Sequence, residues 1–199
     1  MGEIKKQINA MIKENGSKAN ARAASEKWYN QALKDFRNKE VSEKALLRFS
    51  PGKIYVFRYE TPVTENLPWW DKNPIVLALD PVGKNDCGIN LNLLPVAIKE
   101  QMLDDIHGKL AGQIKTQSTR NQNDAIYQGP LTLKYESAKK YLDRYGFGFA
   151  VRQYIPNLKK KRAAVSYENW HRIALCDFID LQGTSVNQVR RFFSNYNKK

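Results

Sequence analysis

The stretch from Gly52 to Pro95 constrains the fold most, because it holds three short apolar runs fenced by proline, glycine, asparagine and aspartate. Ile54 and Val56 alternate with the aromatics Tyr55, Phe57 and Tyr59 between Pro51-Gly52 and Pro62. Such β-branched and aromatic residues suit a pleated, packed strand. Ile75 to Leu79 is a continuous apolar run between Pro74 and Pro81. Ile89, Leu91 and Leu93 alternate with Asn90 and Asn92, the period of two expected of a half-buried strand. Three short strands joined by turn signals predict a strongly bent antiparallel sheet, most simply a small SH3-like β-barrel. Helical patterns on both sides of it make the fold class α+β.

On the N-terminal side, Ile4, Ile8, Met11 and Ile12 fall on one stripe of a helix over residues 3–14,. Asn15-Gly16 ends that helix, and Ser17 is a candidate cap for a second one over about residues 18–38. Ala21, Ala24, Trp28, Ala32 and Phe36 share a face of the second helix. The stripe of the first is short, which favours docking on the protein's own body or on a partner subunit over lying in a membrane surface. On the C-terminal side, Pro95 opens a helix whose inner face is Ile98, Met102, Leu103 and Ile106, with Gly108 as its stop,. Residues 108–129 have no clear period and predict an exposed loop, where Lys109, Lys115 and Arg120 either meet phosphate or are simply solvated.

A helix from Glu136 to Tyr145 follows, with Gly146 at its end, and then FGFAVRQYI reads as a strand,. Ser166 is a candidate cap for a turn or helix carrying Trp170, Ile173 and Ala174. A capping box, Ser185-x-x-Gln188, starts a last helix with Val189, Phe192 and Phe193,. The expected organisation is a helical N-terminal arm over residues 1–50 and one barrel-centred domain over residues 51–199 with helical insertions.

Charge is segregated around the central stretch. Residues 1–53 carry 12 Lys/Arg against 6 Asp/Glu, residues 54–136 carry 8 against 10, and residues 137–199 carry 13 against 4. Basicity confined to the flanks implies a polyanionic partner, with nucleic acid the first candidate and an anionic membrane surface the second. No window approaches the roughly 20 apolar residues of a membrane span, and Met1 is followed by charged residues instead of a secretory signal,. Cys87 and Cys176 lie far apart with no C-x-x-C spacing, which predicts two packed thiols in a reduced compartment,.

The densest cationic run is Lys159, Lys160, Lys161 and Arg162, after the turn signal Pro156-Asn157. It reads as a loop between two elements, either solvated or converging on a phosphate backbone. Arg190 and Arg191 add cations near the chain end, and Arg152, Lys139 and Lys140 complete the candidate nucleic-acid-binding set. Trp69-Trp70, in a loop between strands, is an aromatic platform, a partner contact, or a plug for the end of the barrel. Chemistry of other kinds is poorly supplied. The sequence has no P-loop, no G-x-G-x-x-G, no G-x-S-x-G and no H-E-x-x-H,. His107 and His171 are the only histidines, and both read as packed or surface residues. Asp80, Asp86, Asp104 and Asp105 fit turn and helix-surface positions without a metal. We expect no enzyme activity, no cofactor, no metal and no small-molecule substrate.

The order GKIYVFRYETP, LPWWDKNPIVLALD and GINLNLLP, followed by RQYIPN and AVSYENWHRIAL, resembles the DNA end protector proteins of T-even-type tailed phages. The resemblance covers most of the chain from about Ser17. Trp69-Trp70 stands where that family commonly has Tyr-Tyr, and Asn92-Leu93 where it commonly has His-Tyr. The shared motifs are core and turn patterns, so no catalytic residue carries over. The resemblance implies a virion protein bound to the terminus of packaged linear double-stranded DNA, shielding it from host exonucleases. It would be found in the virion, and in the host cytoplasm during assembly and after genome delivery, with portal or neck proteins as partners. The competing expectation is a structural virion subunit of the connector, neck or baseplate with no specific DNA role.

Overall fold

Alternate residues of the first strand, β1 (Ile54–Tyr59), enter two different cores. Ile54 and Val56 join a large cluster with the helices, whereas Tyr55 and Phe57 join a smaller, aromatic one. The same division recurs along β3 (Ile75–Val82), where Ile75, Leu77 and Leu79 face the helices and Val76 and Ala78 face the aromatics. A sheet covered on both faces explains why Ile75–Leu79 is apolar throughout instead of alternating. The computed structural model describes residues 2–38, 48–60, 70–117, 133–176 and 181–182, with positions 35–38, 70, 107–117, 161 and 181–182 described by backbone alone.

With β4 (Asn85–Asn90), β5 (Val151–Tyr154) and β6 (Lys159–Val165), these strands form an antiparallel sheet in the order β5-β4-β3-β1-β6. Four strands follow one another as a meander, and the fifth returns to pair with β1. A 3-10 turn at Pro156–Leu158 makes that return. This is an open, strongly curled half-barrel of SH3-like order,. Two short strands, β2 (Trp70–Asp71) and β7 (Leu181–Gln182), pair separately.

Helices α1 (Glu3–Glu14), α2 (Lys18–Asn38), α3 (Val96–Gln117) and α5 (Trp170–Leu175) pack on one another over the outer face of the sheet. Ile4, Ile8 and Met11 of α1 are buried in that core, so the apolar stripe of the first helix docks on the protein's own body. Ser17 caps α2 through its hydroxyl, which accepts the Asn20 backbone N–H at 3.1 Å. Helix α4 (Tyr135–Asp143) packs against β3, β4 and β5 and ends at Gly146, whose φ is +77°.

Two sequence expectations need correction here. The third predicted strand stops at Asn90, and Leu91–Leu93 forms a 3-10 turn in which Asn92 is buried. Gly108 does not stop α3, which runs on to Gln117. Each of its glycines, Gly108 and Gly112, costs the helix only about 1 kcal/mol, and no proline falls within it,. The first part of the expected 108–129 loop is therefore helical, while its remainder, with Arg120, lies outside the described residues. The predicted last helix at 185–193 lies outside them too. Cys87 and Cys176 are both buried as free thiols.

Candidate nucleic-acid interface

The cationic run Lys159–Arg162 is an edge strand, not the loop expected from its position after Pro156-Asn157. Its backbone pairs with β1 in the register Ile54↔Val165, Tyr55↔Ala164 and Val56↔Ala163, then shifts, with Arg58↔Lys160 and Tyr59↔Lys159 beyond the irregularity. Lysine on an edge is a common protection against a further strand adding there. Hence the run serves the fold before it serves any partner. The bulge also sends the cations in different directions.

Lys160 is exposed and lies opposite exposed Arg58, whose guanidinium Nε is 3.0 Å from Glu60. Lys159 goes the other way, into the half-barrel, and is only 4% exposed. Its ammonium pairs there with the buried carboxylate of Asp86 on β4 and lies 3.8 Å from the centre of the Phe49 ring. Strands β6 and β4 are three ladder steps apart in the sheet order, about 14 Å on a flat sheet. A side-chain contact between them measures how tightly the sheet curls. Arg48 approaches the same carboxylate at 3.6 Å from the rim, and donates as well to the carbonyl of Lys84.

Aromatic rings wall this interior. Phe49 stacks on Tyr55 at 4.7 Å, and Phe57, Tyr59 and Tyr154 meet edge to face at 5.3–6.2 Å. In that setting burial draws the Lys159 ammonium down to about 7, with repulsion from Arg162 and Arg48 adding to the effect,. Burial likewise pulls the half-buried Arg162 guanidinium down and pushes the Tyr154 phenol up. Asp86, which read from sequence as a turn carboxylate, is thus an interior counter-ion. Asp104 also has a partner: its Oδ1 accepts the backbone N–H of Ile4 at 3.0 Å.

The remaining predicted cations are dispersed. Lys139 and Lys140 are exposed on α4, which packs on the half of the sheet that ends in β5. Arg152 is half-buried on β5 and donates from Nε to the carbonyl of Phe149 at 3.3 Å. Lys161 and Trp70 are described by backbone alone. Arg190, Arg191 and Trp69 lie outside the described residues. Sequence reasoning missed Arg48 and Arg58, and no local signal marks them: Arg48 is placed by its approach to Asp86 of β4, and Arg58 by the pairing of β1 with β6. Beside β6 on the helix side, Trp28, Ala32 and Leu33 of α2 line an apolar groove of about 170 Å³ with Val56, Ala163 and Val165.

Among the described residues no group of three or more His, Cys, Asp or Glu side chains could hold a metal ion. No helix there is long and apolar enough to cross a membrane. His171 is half-buried, and burial beside Arg172 lowers its pKa. The side chain of His107 lies outside the described residues. What the arrangement offers is exposed cations on the sheet, and a cation-bearing aromatic interior that the half-exposed Arg48 flanks.

The family model described as phage T4 terminal DNA protecting protein matches residues 1–175. No curated protein and no solved structure matches the chain.

Proposed function

The chain belongs to the phage T4 terminal DNA protecting protein family, and from that premise we propose that it binds the ends of linear packaged double-stranded DNA through backbone phosphates. Bound there, it shields the end from host exonucleases. The family description supports the terminus as the target. The observation that carries the backbone reading is exposed Lys160 beside exposed Arg58, on a rigid edge of a chain whose net charge is +13. Charges of this kind contact phosphate without reading sequence. Lys139 and Lys140 on α4, Arg152 on β5 and Arg190-Arg191 near the chain end extend the same proposed surface. Inside the particle the protein is placed at the packaged terminus, with portal or neck proteins for neighbours. The apolar groove along α2 and β6 supports a protein contact of that sort.

Fluorescence anisotropy with a blunt duplex, at several salt concentrations, tests the DNA reading. Affinity should fall by about 0.9 log units per phosphate contact for each tenfold rise in salt. Digestion of the same duplex by a processive exonuclease should slow at stoichiometric protein. Absence of binding at low salt would overturn the reading. Cross-links in intact particles that reach the shell or neck but not DNA would favour a structural subunit instead.

A further inference from the structure

We propose that the rim of the half-barrel is a site for a terminal phosphate monoester, held by Arg162 and Arg48, and that this site distinguishes a DNA end from DNA interior. The inference rests on the DNA-end reading above and adds to it a set of residues and a ligand chemistry.

Arg48 and Lys159 meet at one carboxylate, Asp86, against walls of Phe49 and Tyr55, and Arg162 lies close enough to repel the Lys159 ammonium. Excess positive charge in such surroundings is costly unless an anion or a strong acceptor meets it. The Tyr154 hydroxyl in that interior and one guanidinium donor are unmet among the described residues. The Nη1 atom of Arg162 is buried and has no hydrogen-bond partner among the described residues. A buried guanidinium nitrogen without an acceptor is a donor that an incoming anion would satisfy. Lowered affinity of Lys159 and Arg162 for their protons, through burial of both and repulsion of Lys159 by Arg162 and Arg48, is the expected companion of such a surplus.

Geometry makes the site reachable. The side chain of Arg48 is 47% exposed, and at 3.6 Å its hold on Asp86 is loose. It can turn to an incoming anion while Lys159 keeps Asp86 neutralised from below. Two guanidinium forks present paired N–H donors that match the oxygens of a phosphate. A monoester at a DNA end carries close to two negative charges near neutral pH, by analogy with a phosphorylated side chain. An internal diester carries one. The surplus of positive charge there, Arg48 and Arg162 with a partly protonated Lys159 against the single carboxylate of Asp86, therefore prefers the end.

The test uses the full chain and three duplexes of one sequence: ends bearing 5′-phosphate, ends bearing 5′-hydroxyl, and ends closed by hairpin loops. The wild type should bind the phosphorylated duplex roughly tenfold more tightly than the hydroxyl duplex, the worth of one charge-assisted contact. Arg162→Gln should abolish that preference, so that the two open-ended duplexes bind alike. Lys139→Gln/Lys140→Gln should weaken both alike. Arg48→Gln, at the exposed rim, is the second variant should the first fold poorly. Inorganic phosphate, added against sulfate at matched ionic strength, should raise the melting temperature of the wild type and not of Arg162→Gln.

Equal affinity of the wild type for phosphate and hydroxyl ends would overturn the inference, with the DNA-end reading intact. Failure to bind any duplex, with phosphate still raising the melting temperature through Arg162, would sink that reading and leave a free-phosphate site. Neither duplex binding nor a phosphate effect would overturn both.

Discussion

The side-chain amide of Asn92 donates to Asp71 Oδ2 at 2.7 Å, joining the Trp-Trp-Asp segment to the turn after β4 in the interior of the fold. Asn90 donates to the same oxygen at 3.2 Å, and Asp71 Oδ1 accepts the backbone N–H of Asn73 at 3.1 Å. The hydroxyl of Tyr29, on α2, donates to the carbonyl of Asn73 at 3.2 Å. A buried carboxylate thus gathers two strands and a helix. Replacing Asn92 with Ala leaves Asp71 short of a donor, which costs about 1–3 kcal/mol when the group stays buried. Urea denaturation should show that loss with an unchanged m-value.

This network marks where the sequence stops being legible. The alternation of Ile54 and Val56 with Tyr55 and Phe57 was enough to place β1, and the Pro-bounded run Ile75–Leu79 to place β3, because local pattern dictates which faces are buried. The same logic misread Asn90 and Asn92 as a solvent face. Their burial depends on Asp71, about twenty residues away, and a local window cannot see a distant partner. The cationic run at 159–162 failed for a related reason. Whether a lysine stays wet depends on the carboxylate that the curl of the sheet brings to it, here Asp86 of β4.

Helix α1 has Gly2 at its start and no side chain of its own to cap it. The cap comes from α3, where Asp104 Oδ1 accepts the N–H groups of Ile4 at 3.0 Å and Lys5 at 3.4 Å. A carboxylate there also meets the positive end of the helix dipole. Asp104→Ala should therefore destabilise the protein by about 1 kcal/mol. Hydrogen exchange should locate the loss in the first turn of α1, and protection unchanged there would refute the capping role.

Burial of the Lys159 ammonium, with repulsion from Arg162 and Arg48, predicts a dependence on alkaline pH. Lys159 is drawn to about 7 in the fold, against 10.5 for the free side chain. Between those values the unfolded chain binds more protons, so stability should rise with pH, by at most about 1.4 kcal/mol per unit. Near pH 10 the raised Tyr154 phenol opposes the trend, because the fold then holds the extra proton. Melting curves from pH 7 to 9.5 test the sign. The double variant Asp86→Asn/Lys159→Met should lose the rise yet stay close to wild-type stability at pH 7. Either single change strands a charge or its partner and should cost about 3–5 kcal/mol.

Lys160 and Arg58 give the sharpest surface test. They face each other across β6 and β1, both exposed, and neither belongs to the interior pair. A change at Lys159 confuses lost binding with lost stability, so it is the wrong probe of DNA contact. The variant Arg58→Gln/Lys160→Gln keeps side-chain length and β pairing, and should melt like the parent. If both cations meet phosphate, the slope of log affinity against log salt should flatten by about 1.8 on duplex DNA, the value for two contacts. A slope equal to the wild type's would make this pair edge protection only. The backbone contacts would then have to come from Lys139 and Lys140 on α4.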